Sequence, residues 1–153
     1  MQRTIATLSL CLPVLLATGA ARAQDAAAAG NCPQLPADAG LTWEARSSAA
    51  GEFCRALFAD GSEAFGLYIT PERSFDPVRR NRAERNFTID GHEVTWYRAE
   101  IAASPGVEAR ETNVALTDGR QVHVWLQARS PTELPARLQL VGRLHFTGAG
   151  IAD

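Results

Sequence analysis

The chain has 153 residues, with 15 basic and 17 acidic side chains, and every basic residue is an arginine. Without lysine there is no amine for a Schiff base or a pyridoxal-phosphate link, for a Walker-A loop or for a Ser–Lys dyad. Once the first 23 residues are set aside, 13 arginines face 17 acids, a net charge of −4 against −2 for the whole chain.

Residues 1–23 have the three parts of a secretory signal: Arg3, an apolar run over 5–17, and Ala21-Arg22-Ala23 with small residues at −3 and −1. Cleavage is expected between Ala23 and Gln24. The run is shorter than the roughly 20 residues that span a bilayer and is broken by Pro13, so no membrane span is expected after cleavage. A lipoprotein reading through Cys11 fails on the bulky Leu10 before it. The alanine-rich stretch 24–30 reads as a flexible spacer. Residues 31–153 are then one domain, long enough to bury a single core.

Removing the leader leaves Cys32 and Cys54. An even count in an exported chain reads as a disulfide, since the destination is oxidising. Redox or thiolate-metal chemistry lacks a Cys-x-x-Cys spacing and further soft ligands.

Three Asp-Gly dipeptides, at 60–61, 90–91 and 118–119, each separate segments rich in β-branched and aromatic residues, a strong hairpin signal. They predict strands at about 53–59, 64–70, 85–89, 92–101, 109–116 and 120–128, with a seventh candidate at 41–46. Register follows from matching apolar residues. A three-residue loop Thr117-Asp118-Gly119 pairs Val114 with Val122 and Thr112 with Val124. A two-residue loop sets Phe87 against Val94. A four-residue loop over 60–63 opposes Phe58 with Phe65 and Ala56 with Leu67. Ser104-Pro105-Gly106 marks the turn before the third hairpin.

Ser130-Pro131-Thr132-Glu133 has the pattern of a capping box, followed by Leu134, Leu138, Val141 and Leu144 at helical spacing. A cap at Thr132 leaves Pro135 harmless in the first turn, and so is the preferred start. The expected architecture is α+β: an antiparallel sheet of six to seven strands with a C-terminal amphipathic helix on one face. The ending, His123-Val124-Trp125-Leu126-Gln127-Ala128, then the helix, then Leu144-His145-Phe146, resembles the close of the PsbP-like and DcrB-like small exported domains. The chain also resembles the small periplasmic proteins of proteobacteria. Neither resemblance implies a catalytic motif or a specific activity.

The expected register puts Glu111, Asn113, His123, Trp125 and Gln127 on the face opposite the core, a carboxylate and an imidazole beside an indole plate. An ordinary solvated sheet face has the same alternation. Arg98 is a candidate clamp for a carboxylate, or a structural partner for Glu111. Arg79, Arg80, Arg82 and Arg85 crowd into the connection between the first two hairpins, a candidate for anionic surfaces diluted by Asp76 and Glu84. Nucleic acid is not expected, since the mature chain is acidic and lacks interleaved aromatics.

His92, His123 and His145 show no metal-ligand spacing, and no cofactor is expected. No Gly-x-Ser-x-Gly or Gly-x-Gly-x-x-Gly motif occurs. No catalytic residue is assigned, and Asn86-Phe87-Thr88 reads as a chance glycosylation tripeptide. The sequence points to an exported, non-enzymatic binding or accessory domain of the bacterial envelope, its partner an envelope protein or cell-wall component. The alternatives are a hydrolase with an acid–base site of His123 and Glu111, or an apolar-ligand carrier with a pocket lined by Trp96, Leu138 and Val141.

Overall fold

The computed structural model describes residues 31–99 and 106–153. The expected leader, the spacer and Ser104-Pro105 lie outside the described residues. Eight strands and one helix follow in order: β1 (Thr42–Ser48), β2 (Gly51–Leu57), β3 (Glu63–Thr70), β4 (Phe87–Ile89), β5 (His92–Val94), β6 (Tyr97–Arg98), β7 (Glu108–Ala115), β8 (Gln121–Ala128) and α1 (Leu134–Gly142). The fold is α+β, with a six-stranded antiparallel sheet in the order β1-β2-β3-β8-β7-β6 and a separate pair β4-β5.

The β7–β8 register pairs Val114 with Val122 and Thr112 with Val124. The connection closes as a three-residue loop, with Leu116 N–H donating to Arg120 O at 2.8 Å and Gly119 at φ 89°. Here a Cβ would resist the left-handed backbone that the bulge requires. Phe87 pairs with Val94 across a two-residue loop in which Asp90 (φ 51°) and Gly91 (φ 81°) both have positive φ.

The β2–β3 register departs from expectation. Ala56 pairs with Phe65 and Cys54 with Leu67, a net shift of two residues, because Phe58 N–H closes a tighter turn on Ser62 O at 2.9 Å and a one-residue bulge follows at Ala56/Leu57. A two-residue shift preserves the faces. The expected strand over 92–101 is broken, since Trp96 turns its indole into the core (1% exposed) and exchanges backbone hydrogen bonds with Ala83 and Glu84. This break separates β5 from β6 and takes β4-β5 out of the main sheet. β1 occupies the site of the seventh strand and pairs with β2 through Ala49-Ala50.

One face of the sheet builds the core. Cys54, Phe65, Leu67, Val122, Val124 and Leu126 are fully buried beneath Leu134, Leu138 and Val141 of α1, with Ile89 and Val94 of the small hairpin filling the side. Ser130 Oγ accepts Glu133 N–H at 3.3 Å and the Glu133 carboxylate accepts Arg129 N–H at 2.7 Å, a reciprocal cap one turn ahead of the helix. The side-chain cap therefore sits at Ser130 rather than Thr132, and Pro135 falls in the first turn of α1, where its missing N–H costs nothing. The helix ends at Gly142, so Leu144 reaches the core from the segment that pairs His145 with Gln34.

Cys32 and Cys54 form a disulfide spanning 22 residues, which ties the N-terminal segment to β2. Beside it Glu52, 5% exposed, accepts Asn31 N–H and Nδ2–H, each at 2.8 Å. These two sulfurs and the Glu52 carboxylate lie within 4.8 Å of one another, but the sulfurs are bonded to each other and not free to ligate. Among the described residues no helix is long and apolar enough to cross a membrane.

Candidate functional site

Strand alternation sends Glu111, Asn113, His123, Trp125 and Gln127 away from the core, and the ladder sets Glu111 opposite Trp125 and Asn113 opposite His123. The β3–β8 pairing adds Tyr68 opposite His123 and Gly66 opposite Trp125. Phe53 pairs with Tyr68 from β2, and Tyr97 pairs with Glu111 from β6. Five neighbouring strands, β2, β3, β8, β7 and β6, thus contribute to one outer face.

The rings on that face form a continuous row. Phe53 packs on Trp125 with centroids 5.3 Å apart, Trp125 on His123 at 5.5 Å, His123 on Phe75 at 4.5 Å, and Phe75 on Tyr97 edge-on at 6.5 Å. Gly66 makes this possible, because a Cβ there would lie 2.2 Å from Trp125 Cζ2. The indole therefore lies flat over the β3 backbone. Phe53, Tyr68, Phe75, Tyr97, His123 and Trp125 are all half-buried, so ring surface remains open to solvent.

Polar groups border the row. Because a carboxylate only accepts, His123 Nε2–H donates to Glu111 Oε2 at 3.0 Å, which leaves Nδ1 as a lone pair. Burial disfavours the imidazolium more than Glu111 favours it, so the His123 pKa lies below its ordinary value and the ring is neutral at pH 7. Trp125 Nε1–H donates to Glu63 Oε1 at 3.2 Å, and Glu63 in turn pairs with Arg55 at 2.8 Å. Asn113 Nδ2–H donates to Gln121 Oε1 at 2.8 Å, while Asn113 Oδ1 is buried with no donor among the described residues.

Of the expected site residues, Glu111, Asn113, His123 and Trp125 come together. Gln127 is exposed and lies at the far end of the strand opposite Ala109. Arg98 does not join them: it pairs across from Arg110, so it has the opposite parity to Tyr97 and Glu111. Its expected pairing with Glu111 is corrected by that register. Arg79, Arg80, Arg82 and Arg85 are exposed around a short 3-10 turn (Arg79–Asn81), and Arg82 bridges to Tyr97 at the sheet edge. Glu84, expected to dilute this cluster, instead turns to Arg110 at 2.7 Å.

Phe53, Gly66 and Tyr68 were legible from the same alternation that located His123, had it been carried onto β2 and β3. Phe75 stands in a connection and has no periodic signal. The chemistry available to this face is stacking, hydrogen bonding and acceptance of a proton at His123 Nδ1. Comparison with protein-family models, with curated proteins and with solved structures finds no match to this chain.

Proposed function

We propose that this protein is an exported, disulfide-stabilised binding domain whose outer sheet face docks a component of the cell envelope. The observation that carries the reading is the half-exposed row Phe53–Trp125–His123–Phe75–Tyr97, bordered by Glu63 and Glu111. Aromatic anchors framed by polar groups are the usual composition of a protein-binding surface. The disulfide fits an oxidising compartment, and the leader pattern of residues 1–23 supports export. The exposed arginines at 79, 80, 82 and 85 offer this domain a second, electrostatic contact with anionic groups. Affinity capture from envelope extract with the wild type and with Phe53→Ala tests the reading. A component retained by the wild type and lost by the variant supports it; identical retention by both contradicts it.

A hydrolase is the second reading, favoured by the His123–Glu111 contact at 3.0 Å. Phe75 and Trp125 pack on the imidazole, centroids 4.5 and 5.5 Å away, which favours a stacking role over catalysis. The carrier reading has less support, because Trp96, Leu138 and Val141 are each 2% exposed or less within the packed core.

A further inference from the structure

A cleft of about 580 Å³ opens beside the outer face, where the edge of β7 loses its neighbour. Its wall includes Thr112, Asn113, Val114 and Ala115 in succession. Side chains of consecutive strand residues point to opposite faces, so a cleft that touches all four meets the strand edge-on.

The direction of the backbone groups on that edge follows from its two ends. Ala109 O accepts Ala99 N–H at 3.2 Å, and Ala115 O accepts Ala152 N–H at 2.8 Å, both on the side away from β8. Asn113 has the same parity in an unbroken register, so its N–H and C=O point the same way. Tyr97 pairs with Glu111, but the chain then turns Trp96 into the core, and Thr95 does not continue the ladder. At the other end Ile151 bridges Leu116. Between them no described residue hydrogen-bonds the Asn113 backbone on the side away from β8. An unpaired strand edge in a cleft is a template for an added peptide backbone.

Charges at the rim narrow the ligand. Arg73 lines the cleft, is exposed and has no ion pair with a described residue. Glu93 and Asp153 stand on the same rim, Asp153 also lying 3.3 Å from His92 Nδ1. A guanidinium for a carboxylate, carboxylates for an ammonium and a strand edge for an amide match a zwitterionic peptide. We propose that the cleft binds a short peptide with a free α-carboxylate, its amide pairing with the Asn113 backbone and its carboxylate meeting Arg73. This site uses the edge of β7 and adjoins the ring row, with which it shares Tyr97.

The test is amide NMR on the 15N-labelled protein with tri-alanine, tri-alanine carboxamide and free alanine as probes. Tri-alanine is expected to shift the Asn113, Val114 and Tyr97 amides saturably and to slow exchange of the Asn113 amide at least about tenfold. The carboxamide, and tri-alanine with Arg73→Gln, are expected to bind about tenfold more weakly, as loss of one charge-assisted contact implies. Free alanine, which has no amide, is expected to leave the Asn113 exchange rate unchanged. An Asn113 amide already protected without ligand overturns the proposal, as does the absence of saturable shifts up to about 10 mM tri-alanine. Equal binding of the acid and the carboxamide overturns the role of Arg73.

Discussion

His123 and Glu111 meet diagonally across the β7–β8 pair, Nε2 to Oε2 at 3.0 Å, with Phe75 packed 4.5 Å from the imidazole. The carboxylate stabilises the protonated ring and burial opposes it, and burial is the larger effect. His123 therefore titrates below 6.5, and Glu111→Gln is expected to lower it further by removing the charge that favours the cation. Imidazole NMR against pH checks both. Because the folded value is depressed, the unfolded chain binds the proton first, and stability falls as the pH drops from about 6.5 toward the folded value. His123→Gln is expected to flatten that part of a plot of thermal midpoint against pH.

Gly66→Ala places a methyl where Trp125 lies, 2.2 Å from Cζ2. The indole must leave the β3 backbone or the strands must separate. A loss of about 1–3 kcal/mol is expected by denaturant unfolding, with a change in tryptophan emission.

Replacing both Cys32 and Cys54 by alanine removes the 22-residue link and is expected to cost about 3 kcal/mol. The N-terminal segment would then hold Glu52 less firmly, and that carboxylate, 5% exposed, depends on Asn31 for its hydrogen bonds. Equilibrium unfolding of the double variant measures the combined effect.

Asp90 ties the tip of the β4–β5 hairpin to the C-terminal segment through His145 Nδ1 at 2.7 Å and Phe146 N–H at 2.9 Å. Burial opposes its ionisation, but these hydrogen bonds outweigh it and hold the carboxyl below 3.8. Asp90→Asn keeps a residue that tolerates φ 51° and loses the charge, and is expected to cost about 1 kcal/mol at neutral pH. A depressed folded value means the contribution is present above 3.8 and lost as the pH falls through the folded value. The difference between variant and wild type in thermal unfolding is therefore expected to shrink in acid.

The third hairpin was readable in detail because only one loop length put Val114 opposite Val122, and Asp118-Gly119 supplied the bulge. Elsewhere local signals gave way to packing. The first two strands join through Ala49-Ala50, residues with no turn preference, so only the neighbouring alternation marked β1. A tighter turn closing Phe58 on Ser62 and a one-residue bulge at Ala56/Leu57 together shifted the β2–β3 pairing by two residues, invisible to a pattern of period two. The run over 92–101 looked like one strand, yet burying Trp96 broke it, and the β6–β7 register sets Tyr97, not Arg98, on the face of Glu111. His123, Trp125, Glu111 and Asn113 followed from the readable hairpin, while Phe75 required the tertiary course of a connection.

The proposed binding role requires the outer face, not the helix face, to meet a partner. A photo-reactive phenylalanine analogue is placed at Phe53 or, on the solvent side of α1, at Gln139, and cells producing the protein are irradiated. A covalent adduct of higher mass is expected from position 53 and none from position 139. No adduct from position 53, or equal yields from both, would contradict it.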